Sequence, residues 1–360
     1  MEDLTMNTRI KNVLGRSEAD EILISDPLAI YYLINRKFSP GERFLGLLIK
    51  KDMRPKLFLN ILFPCEEIDG VDIVSINDTD VLTDVLSDHI DPDSILGVDK
   101  TLQARFLLPM QEAKLARKFI NGSLAVDKTR AIKDEEEKQL MRKSSKINDE
   151  AMAIFKTLVR DDISEKQVAD QLLDIYRSLG AEGFSFEPII AFGKNAADPH
   201  HMPDDTKLKY GDVVLIDVGC TYKGYCSDMT RTFFYKKGPN KDQEKIYNLV
   251  RKANEDAQRY VRKGVRLCDI DKTARDVISD GGYGRYFSHR LGHFIGIEDH
   301  EYGDVSSAFK DKCEAGNIFS IEPGIYDPET MGCRIEDLVI VTEDGCEVLN
   351  SYPHDIEIIG

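Results

Sequence analysis

At 360 residues, with 42% hydrophobic and 31% charged content, the chain has the balance of a folded globular protein and the length for two domains, each with its own core. A net charge of −16 speaks against a nucleic-acid partner, because phosphate recognition needs clustered Lys and Arg. No stretch approaches the roughly 18 apolar residues of a membrane span; the start, Met1-Glu-Asp-Leu-Thr, is acidic where a secretory leader is basic, and seven scattered cysteines without a C-x-x-C pair fit reduced thiols, so a cytoplasmic protein is expected.

Residues 1–127 read as an α/β unit. The short apolar runs Glu21-Ile-Leu-Ile and Arg43-Phe-Leu-Gly-Leu-Leu-Ile predict strands, Val81-Leu-Thr-Asp-Val-Leu a helix, and Ile95-Leu-Gly-Val a further strand. This part carries no catalytic motif. Residues 128–360 form the second unit. Asp134-Glu-Glu-Glu137 has capping-box form, and Leu140, Ile147, Ile154, Phe155 and Leu158 follow at helical spacing. A second helix is predicted from Ser164, with Gln167 three residues on, to Gly180; a third from Asp242 to Val261; a fourth from Asp269 to the Gly281-Gly282 break. β-like segments at 212–235, 317–326 and 334–350 complete an α+β domain with an antiparallel sheet.

The chemistry gathers in those β-like segments. Val213–Cys220 and Tyr225–Tyr235 predict a hairpin joined through Thr221-Tyr-Lys-Gly224, with Gly224 free to take positive φ. If Cys220 and Tyr225 close the loop, Asp217 falls opposite Asp228, with Cβ atoms roughly 5 Å apart. Two carboxylates that close repel unless one is protonated or a cation bridges them. A lone Asp in a strand is most often solvated, but Asp217 lies within the apolar run Val214-Leu-Ile-Asp-Val218, where an unpaired charge is costly. In Arg334-Ile-Glu-Asp-Leu-Val-Ile-Val341, alternation places Arg334 and Glu336 on one face and Asp337 on the other, and either acid reads equally well as an ordinary solvated side chain. Glu322 ends an apolar strand just before Pro323-Gly324. Five of the seven histidines fall in Pro199-His-His-Met-Pro203 and His289-Arg-Leu-Gly-His-Phe-Ile-Gly-Ile-Glu-Asp-His300, where Gly292 and Gly296 flank His293. Each His alone is more often structural than a ligand; together with four placed acids they point to function.

Asp217…Asp228, Gly292-His293, Ser320-Ile-Glu-Pro-Gly324 and Arg334-Ile-Glu336 resemble, in order, the five-ligand signature of the pita-bread metallopeptidases, the group of methionine aminopeptidase, aminopeptidase P and prolidase. Asn195-Ala-Ala-Asp-Pro-His200 with Pro203, and the separate amino-terminal unit, are similar to the proline-specific branch; His289-Arg-Leu-Gly-His293 resembles bacterial prolidases, and Pro40-Gly-Glu-Arg-Phe44 a loop that approaches the partner's site in dimers of this branch. The resemblance implies a pita-bread catalytic domain with a smaller creatinase-like amino-terminal domain, in a homodimer. It further implies two divalent metals held by Asp217, Asp228, His293, Glu322 and Glu336, with Asp337 a decoy. Oxygen-rich coordination favours Mn²⁺ over Co²⁺, Zn²⁺ or Fe²⁺. The implied reaction is hydrolysis of the Xaa-Pro bond of small peptides with proline in second position, by a hydroxide bridging the metals. Glu322 would shuttle the proton, while His200, His289, His300 and Arg334 line the site; no organic cofactor is implied. His201 reads as structural. Asp198 and His201 depart from the common pattern, at positions that bear on substrate preference.

The nearest rival is aminopeptidase P acting on longer peptides; Arg290 and the chain length favour the dipeptidase. A non-enzymatic pita-bread binding protein is expected to lose metal ligands, and a creatinase-like amidinohydrolase lacks the set; here every ligand position is filled.

Overall fold

The computed structural model describes residues 2–360. The chain divides into two compact units at Arg130/Ala131.

The first unit is built on a six-stranded mixed sheet in the order Asp72–Ile76, Lys56–Asn60, Leu45–Lys50, Glu21–Ile24, Ile95–Val98, Lys118–Asn121. Its central strand is wholly buried, which is why Glu21-Ile-Leu-Ile reads as a continuous apolar run rather than an alternating one. The expected helix at residue 81 forms over Leu82–Ser87. In the loop after Pro40, Arg43 is held by a two-pronged pair to Asp78 at 2.9 Å on each branch.

The second unit repeats one order twice: two helices, then hairpins. Helices Glu135–Leu158 and Glu165–Ser178 precede a four-stranded sheet ordered Ile358–Ile359, Met229–Tyr235, Val213–Val218, Ile189–Phe192. Helices Lys241–Tyr260 and Leu267–Asp280 precede a five-stranded sheet ordered Glu301–Val305, Gly292–Phe294, Ile318–Ile321, Asp337–Val341, Cys346–Val348. The anticipated capping boxes are present at Asp134/Glu137 and Ser164/Gln167, each satisfying two otherwise orphaned N–H groups. The buried stripe of the first long helix differs from the expected one. It carries Ser144, Ser145 and Asn148 among its apolar residues, whereas Ile154 is exposed. The polar residues act as ties: Asn148 donates to Val218 O at 2.9 Å and accepts from Tyr176 Oη at 2.6 Å, and Ser144 donates to Cys226 O at 3.0 Å. All seven cysteines are free thiols. Among the described residues no helix is long and apolar enough to cross a membrane.

The hairpin register differs from the expected one by two residues. The loop is a two-residue turn, Lys223–Gly224, with φ of 48° and 79°, so Tyr222 pairs with Tyr225 and Asp217 lies opposite Thr230 rather than Asp228. Positive φ at both central residues matches the right-handed twist of the flanking strands. The shift is even, so Asp217 and Asp228 keep to one face as diagonal rather than direct neighbours.

A buried ion pair closes the seam between the two halves. Arg231 Nη2 donates to Asp337 Oδ1 at 2.7 Å, while Gln258 and His354 each reach Asp337 Oδ2 at 2.8 Å. Burial alone would raise the Asp337 carboxyl, but Arg231 and His354 outweigh it and hold it down to about 2. Since the folded value lies below the ordinary 3.8, this contribution is complete above about pH 4 and is lost as the pH falls through 2. Asp337→Ala strands a buried guanidinium and is expected to destabilise the protein by about 3–5 kcal/mol at neutral pH. Urea unfolding with a midpoint equal to that of the parent would contradict this.

Candidate metal centre

The centre lies where the hairpin of the first half meets the strands of the second. Asp217 comes from Val213–Val218, and Asp228 from the residue just before Met229–Tyr235. His293 is the middle residue of the short strand Gly292–Phe294, followed at once by a bulge that shifts the register between His293 and Phe294. Gly292 is required there: a Cβ would lie 1.9 Å from Ser320 O. Glu322 follows Ile318–Ile321, and Glu336 occupies the break between Met331–Arg334 and Asp337–Val341.

That break corrects the continuous alternation expected for residues 334–341. Arg334 pairs with Gly324 and Asp337 with Ile321, in two different sheets. Arg334 and Glu336 nonetheless converge, because both meet Thr230: Arg334 Nε donates to Thr230 Oγ1 at 3.0 Å, and Thr230 donates on to Glu336 Oε2 at 2.6 Å. Asp337 faces Arg231 instead, in a buried ion pair.

Ligand atoms of Asp228, His293 and Glu336, all buried, lie within 4.8 Å of one another. His293 Nε2 is 3.4 Å from Asp228 Oδ2 and 3.6 Å from Glu322 Oε1. Asp217 is bound through its Oδ2 to Arg334 Nη2. The decisive feature is what these groups leave undone. Asp217 Oδ1, Asp228 Oδ1 and Glu336 Oε1 are buried and have no hydrogen-bond partner. Buried acceptors are nearly always satisfied, so these unpartnered oxygens make this a candidate site for a cation.

The electrostatics agree. Burial, then repulsion from Glu336, Asp299, Asp217 and Glu322, pushes the Asp228 carboxyl well above the usual carboxylate range, and burial with the charges of Glu322 and Asp217 does the same to Glu336 against Arg334 and Thr230. Burial raises Glu322 to about 8 against the pull of Arg334. Burial, reinforced by the charges of His300 and Arg290, keeps His293 well below its ordinary value and thus neutral, the form in which imidazole ligates. Four carboxylates and one neutral imidazole balance two divalent cations in formal charge, so the donor set fits such a pair.

The remaining expected residues surround this cluster. His289 Nε2 is 2.9 Å from Tyr326 Oη, which accepts from Arg334 Nη1 at 2.7 Å. Burial and Arg334 lower His289 to about 4. The His300 ring, largely exposed, lies 4.1 Å from that of His293, edge to face. His200 is exposed, near enough for its charge to be felt at His289 and His300. His201 bonds to Glu165. Arg334 is engaged by Asp217, Thr230 and Tyr326, contacts that support a role in orienting carboxylates.

Three site residues escaped sequence reasoning. Thr230 and Tyr326 act through hydroxyls that no spacing announces. Asp299 has a buried, unpartnered Oδ1 and is raised by burial to about 7; its position beside His300 is the only signal that could have pointed to it.

Comparison with known proteins places these observations in a family. A family model described as metallopeptidase family M24 matches residues 139–343, and one for creatinase/prolidase N-terminal domains matches residues 8–132. The chain is 37% identical, over 361 aligned residues, to an uncharacterized peptidase of Staphylococcus epidermidis, covering 97% of this chain and 99% of that one. It is similar to an Xaa-Pro dipeptidase from Bacillus anthracis with a TM-score of 0.91 and 30% identity, over 98% of this chain and 100% of that one. It is also similar to an X-Pro aminopeptidase from Thermotoga maritima with a TM-score of 0.85 and 28% identity, over 96% and 99%.

Thr230→Val removes the hydroxyl that links Arg334 to Glu336 with little change in shape. Losing such an outer-shell partner is expected to weaken divalent-cation binding about 10- to 100-fold. Titration against a fluorescent chelator measures this, and an affinity equal to the parent's would refute it.

Proposed function

The chain belongs to metallopeptidase family M24, and on that premise we propose that it hydrolyses the peptide bond before proline in Xaa-Pro dipeptides, using two divalent cations held by Asp217, Asp228, His293, Glu322 and Glu336. The observation that carries this reading is the trio of buried, unpartnered oxygens on Asp217, Asp228 and Glu336 beside a neutral His293. When bound, such a pair lowers the pKa of a water from 15.7 toward ~7 and stabilises the oxyanion that develops as the carbonyl is attacked. Mn²⁺ is the proposed metal, on the oxygen-rich donor set.

The chain's own groups divide the remaining work. Glu322, as the carboxylate that bound cations would favour, takes the proton of the attacking water and returns it to the leaving prolyl nitrogen. His200 contacts the scissile carbonyl as it becomes an oxyanion, and His300 steadies the substrate around the proline. His289 stays neutral at working pH, and with Tyr326 it holds Arg334 against Asp217. Arg334 in turn sets the direction of Asp217 and, through Thr230, of Glu336.

Arg290 favours the dipeptide. Paired with Asp304, it still acts by its charge on His293, His300, Asp299 and Glu322, and a positive group near this site supports a substrate with a free carboxylate beside the proline. The similarity to an X-Pro aminopeptidase favours the second reading, removal of the first residue from longer Xaa-Pro peptides. A homodimer in a reducing cytoplasm, with a division of labour between residues 1–127 and 128–360, completes the proposal.

After chelation and re-addition of single metals, Ala-Pro is expected to be cleaved faster than Ala-Pro-Ala, with Mn²⁺ restoring the highest rate; the reverse preference would establish the aminopeptidase. Asp228→Asn is expected to lose both bound metal and activity. Full turnover with parental metal content in that variant would end the scheme.

A further inference from the structure

A second group of ligand-type side chains sits beneath the loop that carries His200. Atoms of Glu165, His201 and Asp204 lie within 4.8 Å of one another. Unlike the centre above, the buried carboxylate at the middle of this group has both oxygens bonded. Glu165 is fully buried and both of its oxygens are filled: Oε1 accepts from Phe192 N at 2.7 Å and Asn195 Nδ2 at 2.9 Å, and Oε2 from His201 Nε2 at 2.6 Å and Asp204 N at 3.1 Å. Its place at the first turn of Glu165–Ser178 suits an anion, because the helix dipole is positive there. All four donors come from residues 192–204, so one carboxylate gathers the whole segment on either side of His200.

The ring of His200 is exposed, so its aim depends on the loop beneath it. That loop is shaped by Asp198, which accepts from His200 N at 3.0 Å through its side chain and from His201 N at 3.3 Å through its carbonyl. Asp198 N bonds back to Asn195 O at 3.0 Å and Pro199 O accepts from Arg334 Nη1 at 3.5 Å, while the His201 ring, mostly buried and directed at Glu165, ties the loop to the helix start.

We infer that His201 is a positioning residue: by bonding to Glu165 it fixes the loop 198–204 and thereby the aim of His200 at the reacting carbonyl. This rests on the reading of His200 given above and extends it to a residue with no direct part in the chemistry. A shift of about 1 Å in a group that meets the transition state costs up to 10²-fold in rate.

The test uses the metal-loaded enzyme with Ala-Pro as substrate, and four variants: His200→Ala, His201→Ala, His201→Gln and the double His200→Ala/His201→Ala. His201→Ala is expected to lower kcat about 10- to 100-fold with KM little changed. His201→Gln, whose amide still donates, recovers most of that loss. In the His200→Ala background the further change to Ala at 201 has no additional effect, because the two residues act as one unit. Amide hydrogen exchange over residues 198–204 accelerates in His201→Ala and stays near parental in His201→Gln, with metal content equal throughout. Parental kcat in His201→Ala, or the same fold-loss with and without His200, overturns the inference. Parental kcat in His200→Ala overturns the role given to His200, and this inference with it. Absence of any Xaa-Pro cleavage by the parent overturns the proposed function instead, and unchanged exchange in His201→Ala then removes the tether on its own.

Discussion

Like charges buried together set the terms for the catalytic unit. Asp217, Asp228 and Glu336 are buried, Glu322 and Asp299 stand beside them, and the one guanidinium bound among them is that of Arg334. Carboxylates so placed must keep protons or acquire cations, because burial strips their hydration and little fixed positive charge offsets them. The protein spends much of its structure on holding them there. Thr230, Tyr326 and Ser320 restrain individual oxygens or their partners, and Arg231 with Asp337 pins the strands that carry Glu336 and Thr230. A soft fold would relax by turning the acids outward; this one is braced against it.

The bracing follows from architecture. Each half of the second unit supplies a helix pair and a sheet, and the acids arise where the two sheets abut. Polar residues on helix faces that would otherwise be apolar serve this junction: Asn148 fastens the strand of Asp217 by Val218 O, and Asn254 fastens the end of the Glu322 strand by Ile321 O at 2.8 Å. The matched roles of Asn148 and Asn254, one on each long helix, show the same solution used twice. The His200 loop is held in a comparable way, by one buried carboxylate at a helix start.

Much of this was legible in the residues, and the limits of legibility have physical causes. Helix starts were plain because a capping box is a local bargain between a short polar side chain and N–H groups three residues away. Asp217 and Glu322 stood out because an Asp inside Val-Leu-Ile-Asp-Val, or a Glu after Phe-Ser-Ile, has no reason to be there as packing. Register was misjudged because the turn requires positive φ at Lys223, a conformation that lysine seldom adopts and that composition does not advertise. Arg334 and Glu336 were placed on one strand face for a sound local reason, but the chain changes sheets between them. Thr230, Tyr326 and Asn148 were missed because their meaning lies in partners 28 and 70 positions distant for Asn148, and in neighbours contributed by other segments for the rest.

The tight turn at Lys223–Gly224 has a consequence for how this protein can change over time. Strand residues alternate faces, so gaining or losing a single residue between Val218 and Asp228 would rotate one of the two aspartates away from its companions, and no neighbouring substitution could restore it. A loop at most surfaces is where lineages freely lengthen and shorten; this one is a fixed-length spacer. Its residue count is expected to be inherited more strictly than its residue identities.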